Sequence, residues 1–248
     1  MANALRGETH MKWLARIGIG MAVAAPLATQ AADLGRTPAY RVIPPGMITA
    51  WTSCYVGLNV GGGWVHGTAI DALAGASLGN INASGFSGGG QIGCDYQIGQ
   101  FVVGLQGMAN FDDIRGSNPT PGGVGTTNNF NVPWHETLTV RLGYAVLPMA
   151  LVYAKGGGAW VRDNYTILAA GAPFANGIIT PNGWTAGVGF EYRFIRNWSA
   201  FVEYNYLGFG SQPISMITSA GASMPVNLSS HNIQAVMIGV NLRFGGWY

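Results

Sequence analysis

Few side chains in this 248-residue sequence could do chemistry, and their spacing narrows what that chemistry is. Cys54 and Cys94 are the only cysteines. They lack the Cys-x-x-Cys spacing of a redox couple, which leaves a structural disulfide or two free thiols. His10, His66, His135 and His231 show no His-x-x-x-His or Glu-x-x-His spacing for a metal. His66 with Asp71, and His231 with Ser229 or Ser230, carry no distinctive hydrolase motif and read as solvated loop residues. The glycine triplets 61–63, 88–90 and 156–158 lack the strand-to-helix context and lysine of a phosphate loop. What remains is a set of charges of both signs, Asp95, Arg141, Lys155, Glu191, Arg193, Glu203 and Arg243. Their chemistry is mutual pairing, provided something buries them together.

The element that would bury them is an alternating strand. In 184–194 the even positions are Trp184, Ala186, Val188, Phe190, Tyr192 and Phe194, while the odd ones are Thr185, Gly187, Gly189, Glu191 and Arg193. A strand turns successive side chains to opposite faces, so one face is apolar and the other small, polar and charged. About eleven residues is the reach a tilted strand needs to cross a bilayer. The same pattern recurs in 51–64, 84–98, 101–112, 132–145, 150–162, 198–209 and 232–244, giving eight strands in all. Across the last three, Val188, Phe190, Tyr192, Val202, Tyr204, Val236, Ile238, Val240 and Leu242 share the apolar parity and are expected to face lipid. All seven charged residues fall on the opposite, inward parity.

The connections sort by length. Segments 66–83, 113–131, 166–180 and 210–231 are long and read as loops, whereas those near Gly99, 146–148 and 195–197 are a few residues each. Long loops on one rim and tight turns on the other are the habit of an outer-membrane barrel with its long loops outside. Composition agrees: 9% of residues are charged, against roughly 25% in soluble domains. The formal net charge of +2 gives no reason to expect nucleic-acid binding. A soluble lipocalin-like barrel would place polar residues at 188, 190, 202, 238 and 240, and none is polar.

Residues 1–31 read as a signal peptide, with Arg6, Lys12 and Arg16 before an apolar core and Thr29-Gln30-Ala31 at the cleavage site. Met11 is an alternative start to Met1. Residues 32–50, with Pro38, Pro44 and Pro45, read as an extended periplasmic leader, and 51–248 as the barrel. If the first two strands are antiparallel neighbours, a 54–94 pair implies 56–92 and 58–90 and puts both sulfurs on one face at one height. A disulfide formed in the oxidising periplasm is therefore expected.

The run from Tyr55 through Val56-Gly57-Leu58-Asn59-Val60 to Gly63 resembles small eight-stranded outer-membrane barrels of the OmpA-like and opacity-protein group. So do Gly88-Gly89-Gly90-Gln91-Ile92-Gly93, Leu142-Gly143-Tyr144, 187–192 and the closing 239–244. Among these it is most similar to the porin-like immunogenic proteins of Gram-negative bacteria. The family usually ends on the aromatic of its last strand; here four residues follow Phe244. The resemblance implies an all-β, up-and-down transmembrane barrel, without enzymatic activity or cofactor, that supports the envelope and exposes four loops. It implies a lumen plugged by salt bridges, with a narrow channel for ions or small solutes as the alternative and a lipid-modifying enzyme as a remoter one. Implied partners are outer-membrane lipid and lipopolysaccharide, the outer-membrane assembly machinery, and host or phage surface ligands.

Overall fold

A computed structural model describes residues 51–71, 77–120, 125–228 and 230–245; the expected signal peptide, leader and final three residues lie outside these. The described residues form eleven strands: β1 (Ser53–Asp71), β2 (Ser77–Ile98), β3 (Phe101–Pro119), β4 (Thr126–Leu147), β5 (Ala150–Ala169), β6 (Ala172–Ile179), β7 (Asn182–Ile195), β8 (Trp198–Phe209), β9 (Gln212–Thr218), β10 (Ser223–Leu228) and β11 (His231–Phe244). All pairings are antiparallel. β1, β2, β3, β4, β5, β7, β8 and β11 pair in that order, and β11 returns to β1, so eight strands close a barrel.

The segments expected to be long loops depart from that expectation. β1 to β5 run on as strand well beyond the anticipated ends, and 166–180 and 210–231 fold into β6, β9 and β10. β6 continues the line of β7 after a break at Thr180 and Pro181, where proline removes a ladder donor. β9 likewise continues β8, and β10 leads into β11. A second circuit of eight strands, β1–β2–β3–β4–β5–β6–β9–β10, thus stands on the first and shares five strands with it. Its ladder is incomplete in two places. β6 meets β9 through only Ala175↔Thr218 and Asn176↔Ile217, and the β2–β3 ladder stops at Ser84↔Arg115 while both strands continue.

Outward side chains of the lower circuit form an apolar belt edged by aromatics. Tyr96, Phe101, Tyr192, Phe194, Trp198 and Phe244 lie near the short turns, and Trp64, Phe86, Phe111, Trp160 and Trp184 at the far edge. Ten residues separate the Cys54↔Phe244 pair from Trp64. At about 3.3 Å per residue and a tilt of about 40°, that is roughly 25 Å, the height of an outer-membrane apolar band. β5 runs nine residues past Trp160 to Ala169, which lifts the upper circuit roughly 20 Å above the belt.

The two circuits are filled differently. Below, the lumen is polar and charged. Above, Val65, Ile114, Val132, Val161, Leu207, Phe209, Ile214, Met216 and Ile233 make an apolar core. At the short-turn mouth, Trp51 packs with Val102, Ala145, Leu151 and Tyr153.

Candidate functional site

Inward parity brings the seven charged residues into one network. Glu191 on β7 is its centre: it accepts from Arg141 on β4, from Arg243 on β11 (Nη2, 2.8 Å; Nε, 3.1 Å), from Ser199 Oγ at 2.5 Å and from Asn241 Nδ2 at 3.1 Å. Asp95 on β2 accepts from Arg243 Nη2 at 2.9 Å and lies 3.8 Å from Arg141 Nη1. Beside Arg141 in the ladder, Lys155 Nζ on β5 donates to Glu203 Oε2 on β8 at 2.6 Å and to Gln106 Oε1 at 2.9 Å. The side chains of the Arg141, Glu191, Asp95 and Arg243 cluster are at most 2% exposed. Four cations and three carboxylates therefore share the lumen, each carboxylate touching at least one cation. Burial on this scale is tolerated because each charge of the cluster has an opposite partner, although Asp95 Oδ1 and Arg141 Nε themselves make no hydrogen bond.

The network needs groups whose parity was readable but whose role was not. Tyr55 Oη accepts from Arg141 Nη1 at 3.2 Å, and the Arg141 guanidinium lies 3.7 Å from the Tyr153 ring centroid. Tyr153 Oη donates to Glu203 Oε1 at 2.6 Å. Each tyrosine lies across a glycine of the next strand. Tyr55 pairs in register with Gly93 and Tyr153 with Gly189, and a Cβ added at either glycine would come within 2.5 Å of the phenol oxygen. An amide chain continues upward, Asn59 to Gln91 at 2.6 Å, Gln91 to Asn241 at 2.7 Å, and Asn110 to Asn59 at 3.1 Å. Below, Trp51 is fully buried between Arg193 and Arg243, whose guanidinium carbons lie 4.7 and 4.8 Å from its ring.

Two histidines are buried, and one of them, His231, was expected in a solvated loop. His135 Nδ1 lies 2.6 Å from Asp112 Oδ2. His231 Nε2 lies 3.1 Å from Asp163 Oδ2 within the apolar upper core, with Phe209 stacked on the imidazole at 5.1 Å. Burial there pushes the Asp163 carboxyl up, against the pull of the imidazole. Neither pair has a motif spacing, because each is assembled from separate strands. His66 is exposed, and the Asp71 side chain lies outside the described residues. No group of His, Cys, Asp or Glu among the described residues could hold a metal.

Cys54 and Cys94 are directly opposite in the β1–β2 ladder and form a disulfide on the outer wall near the short-turn rim. Val188, Phe190, Tyr192, Val202, Tyr204, Val236, Ile238, Val240 and Leu242 are all exposed on the outer wall. The last strand ends at Phe244.

Comparison with known proteins agrees with this geometry. The family model described as outer membrane protein beta-barrel domain matches residues 19–244. A 31 kDa outer-membrane immunogenic protein of Brucella melitensis is 28% identical over 212 residues, covering 79% of this chain and 84% of its own. A 25 kDa outer-membrane immunogenic protein of Brucella abortus is 24% identical over 200 residues, covering 79% and 80%. Among solved structures, the outer membrane protein OprG of Pseudomonas aeruginosa superimposes with a TM-score of 0.50 at 14% identity, covering 80% of this chain and 100% of that one.

Proposed function

The chain belongs to the outer-membrane β-barrel proteins of Gram-negative bacteria, and from that premise we propose that it is a non-enzymatic, plugged component of the envelope. The observation that carries this reading is the Arg141–Glu191–Arg243–Asp95 cluster, spanning the lumen from β4 to β11 and β2 with side chains at most 2% exposed. A solute would have to part these charges, and separating a buried ion pair costs about 3–5 kcal/mol. The lumen of eight strands is just wide enough for side chains to fill. Trp51 adds a stopper at the periplasmic mouth.

The non-enzymatic part is supported by the relatives, which are named as outer-membrane immunogenic proteins, and by the two His–Asp pairs, which are buried in the interior. On this reading the barrel's partners are outer-membrane lipid and lipopolysaccharide around the belt and the assembly machinery during insertion. The upper circuit is then the part offered to host or phage surfaces. Planar-bilayer recording of pure, folded protein tests the plug. The expected trace is silent; steady unitary conductance would make the protein a narrow channel instead.

A further inference from the structure

Above Ser84↔Arg115 the β2–β3 ladder is interrupted, although Gly116 still lies against the Asn82 carbonyl, and the outer wall there holds a groove of about 460 Å³. Its outward side chains come in two rows. Trp64, Ser84 and Arg115 lie side by side across β1, β2 and β3, and His66 and Asn82 form the next pair up, with Ser117 beyond. A side chain bridges the interrupted ladder, Asn118 Nδ2 donating to the Asn82 carbonyl at 3.3 Å.

We propose that this groove is a sugar subsite for the headgroup of a glycolipid of the outer leaflet. The proposal deepens the reading of lipopolysaccharide as a partner and rests on it. Position is the first argument. Trp64 belongs to the aromatic edge of the apolar belt, so the groove opens where the lipid-covered wall ends. A glycolipid seated there has its acyl chains running down the wall past Val60, Leu58 and Ile92, which are all exposed. The second argument is chemistry. A half-exposed indole offers a flat apolar face of the kind a sugar ring covers, with polar groups beside it. Asn82, Ser84 and Ser117 both donate and accept, as sugar hydroxyls do. The third is charge. Arg115 Nε lies 2.5 Å from Asp113 Oδ1, both side chains well exposed, so the local cation is already neutralised yet keeps free donors on its fork. That arrangement favours a polyhydroxyl surface over a bare phosphate.

The test titrates full-length folded protein in mild detergent with three probes. These are deep-rough lipopolysaccharide, phosphatidylglycerol, and the deacylated oligosaccharide of the same lipopolysaccharide, with bound species counted by native mass spectrometry. The lipopolysaccharide is expected to bind most tightly and phosphatidylglycerol least. Trp64→Leu and the double variant Asn82→Ala/Ser117→Ala should each weaken lipopolysaccharide binding about two- to tenfold, with phosphatidylglycerol unchanged. Each variant must keep the cold-versus-boiled mobility shift of a folded barrel; should Trp64→Leu lose it, the double variant decides. Unchanged binding by the folded variants overturns the subsite. Equal binding of phosphatidylglycerol overturns its sugar character, and oligosaccharide binding as tight as the intact glycolipid overturns the membrane source. A conducting wild-type barrel would sink the plug and leave these outcomes as they are.

Discussion

The two storeys of this one lumen are filled by opposite means. Below the upper aromatic edge, the wall is apolar outside, and Arg141, Glu191, Asp95 and Arg243 pair within. Above it, the same strands carry Arg162, Asn164 and Thr166 outward and Val161 and Tyr165 inward. β5 keeps its parity throughout, from Lys155 through Ala159 to Val161 and Asp163, whereas β3 and β4 carry bulges at the boundary, between Phe111 and Ile114 and between Asn131 and Trp134, and the inward residues of β4 change from His135 and Thr137 to Phe130 and Val132. Along β5 only the sense of the alternation inverts. The lesson is that a strand's apolar side follows its solvent: hydrocarbon outside allows charges inside, and water outside calls for an ordinary core. The lower storey depends on the pairing of opposite charges, the upper on volume.

The largest expected effect tests the lower storey. Glu191→Ala leaves Arg141 and Arg243 facing each other with their central partner removed, and should cost about 3–5 kcal/mol in denaturant unfolding of micelle-folded protein. Glu191→Gln, which keeps shape and hydrogen bonding, should cost clearly less; equal losses would mean that packing rather than charge holds this storey. Leu207→Ala addresses the upper storey, where a fully buried side chain sits in the apolar core. About 3 kcal/mol is expected for such a truncation. The loss should be local, with faster hydrogen exchange in β6, β9 and β10 but not in the lower halves of β1–β5. Uniform acceleration would dissolve the contrast.

Gly189→Ala is a smaller perturbation. Its Cβ would press on the Tyr153 phenol, and overpacking of that kind costs about 1–3 kcal/mol. Gly107, whose added Cβ would meet only Ile92 at 3.9 Å, should accept alanine with little change. The smallest effect is on pH dependence. Burial raises the Asp163 carboxyl in the folded protein, so its favourable contribution is fully present below the usual carboxylate range, near pH 4, and is lost as pH rises through the raised value. Asp163→Asn should flatten that slope in hydrogen exchange of the upper circuit. An unchanged slope would place its origin elsewhere.

The inversion explains what was legible beforehand. Val188 against Glu191, and Val240 against Arg243, gave the lower barrel because a strict two-residue period over about eleven residues has few other readings. The pairing of Cys54 with Cys94 followed from the same numbering. The upper strands stayed hidden because a rule seeking outward apolar residues stops at Arg162, where outward residues turn polar. Pro173, Gly177, Pro213 and Pro225 also punctuate β6, β9 and β10 like loop residues. The His231–Asp163 and His135–Asp112 pairs were illegible for a different reason. His231 and Asp163 stand on β11 and β5, which meet only once the barrel has closed, and His135 and Asp112 meet inside the β3–β4 hairpin beside a bulge that no spacing rule anticipates.

The incomplete loops-turned-strands have a consequence for anything that binds this cell surface. Because Arg162, Asn164 and Thr166 point out while Val161, Asp163 and Tyr165 point in, a probe meets only alternate residues of any one stretch, set beside alternate residues of its neighbours. Its epitope is a mosaic drawn from several chain segments. Short peptides copied from 161–179 would present the hidden half as readily as the displayed half, and antibodies raised against them should recognise the boiled protein better than the living bacterium.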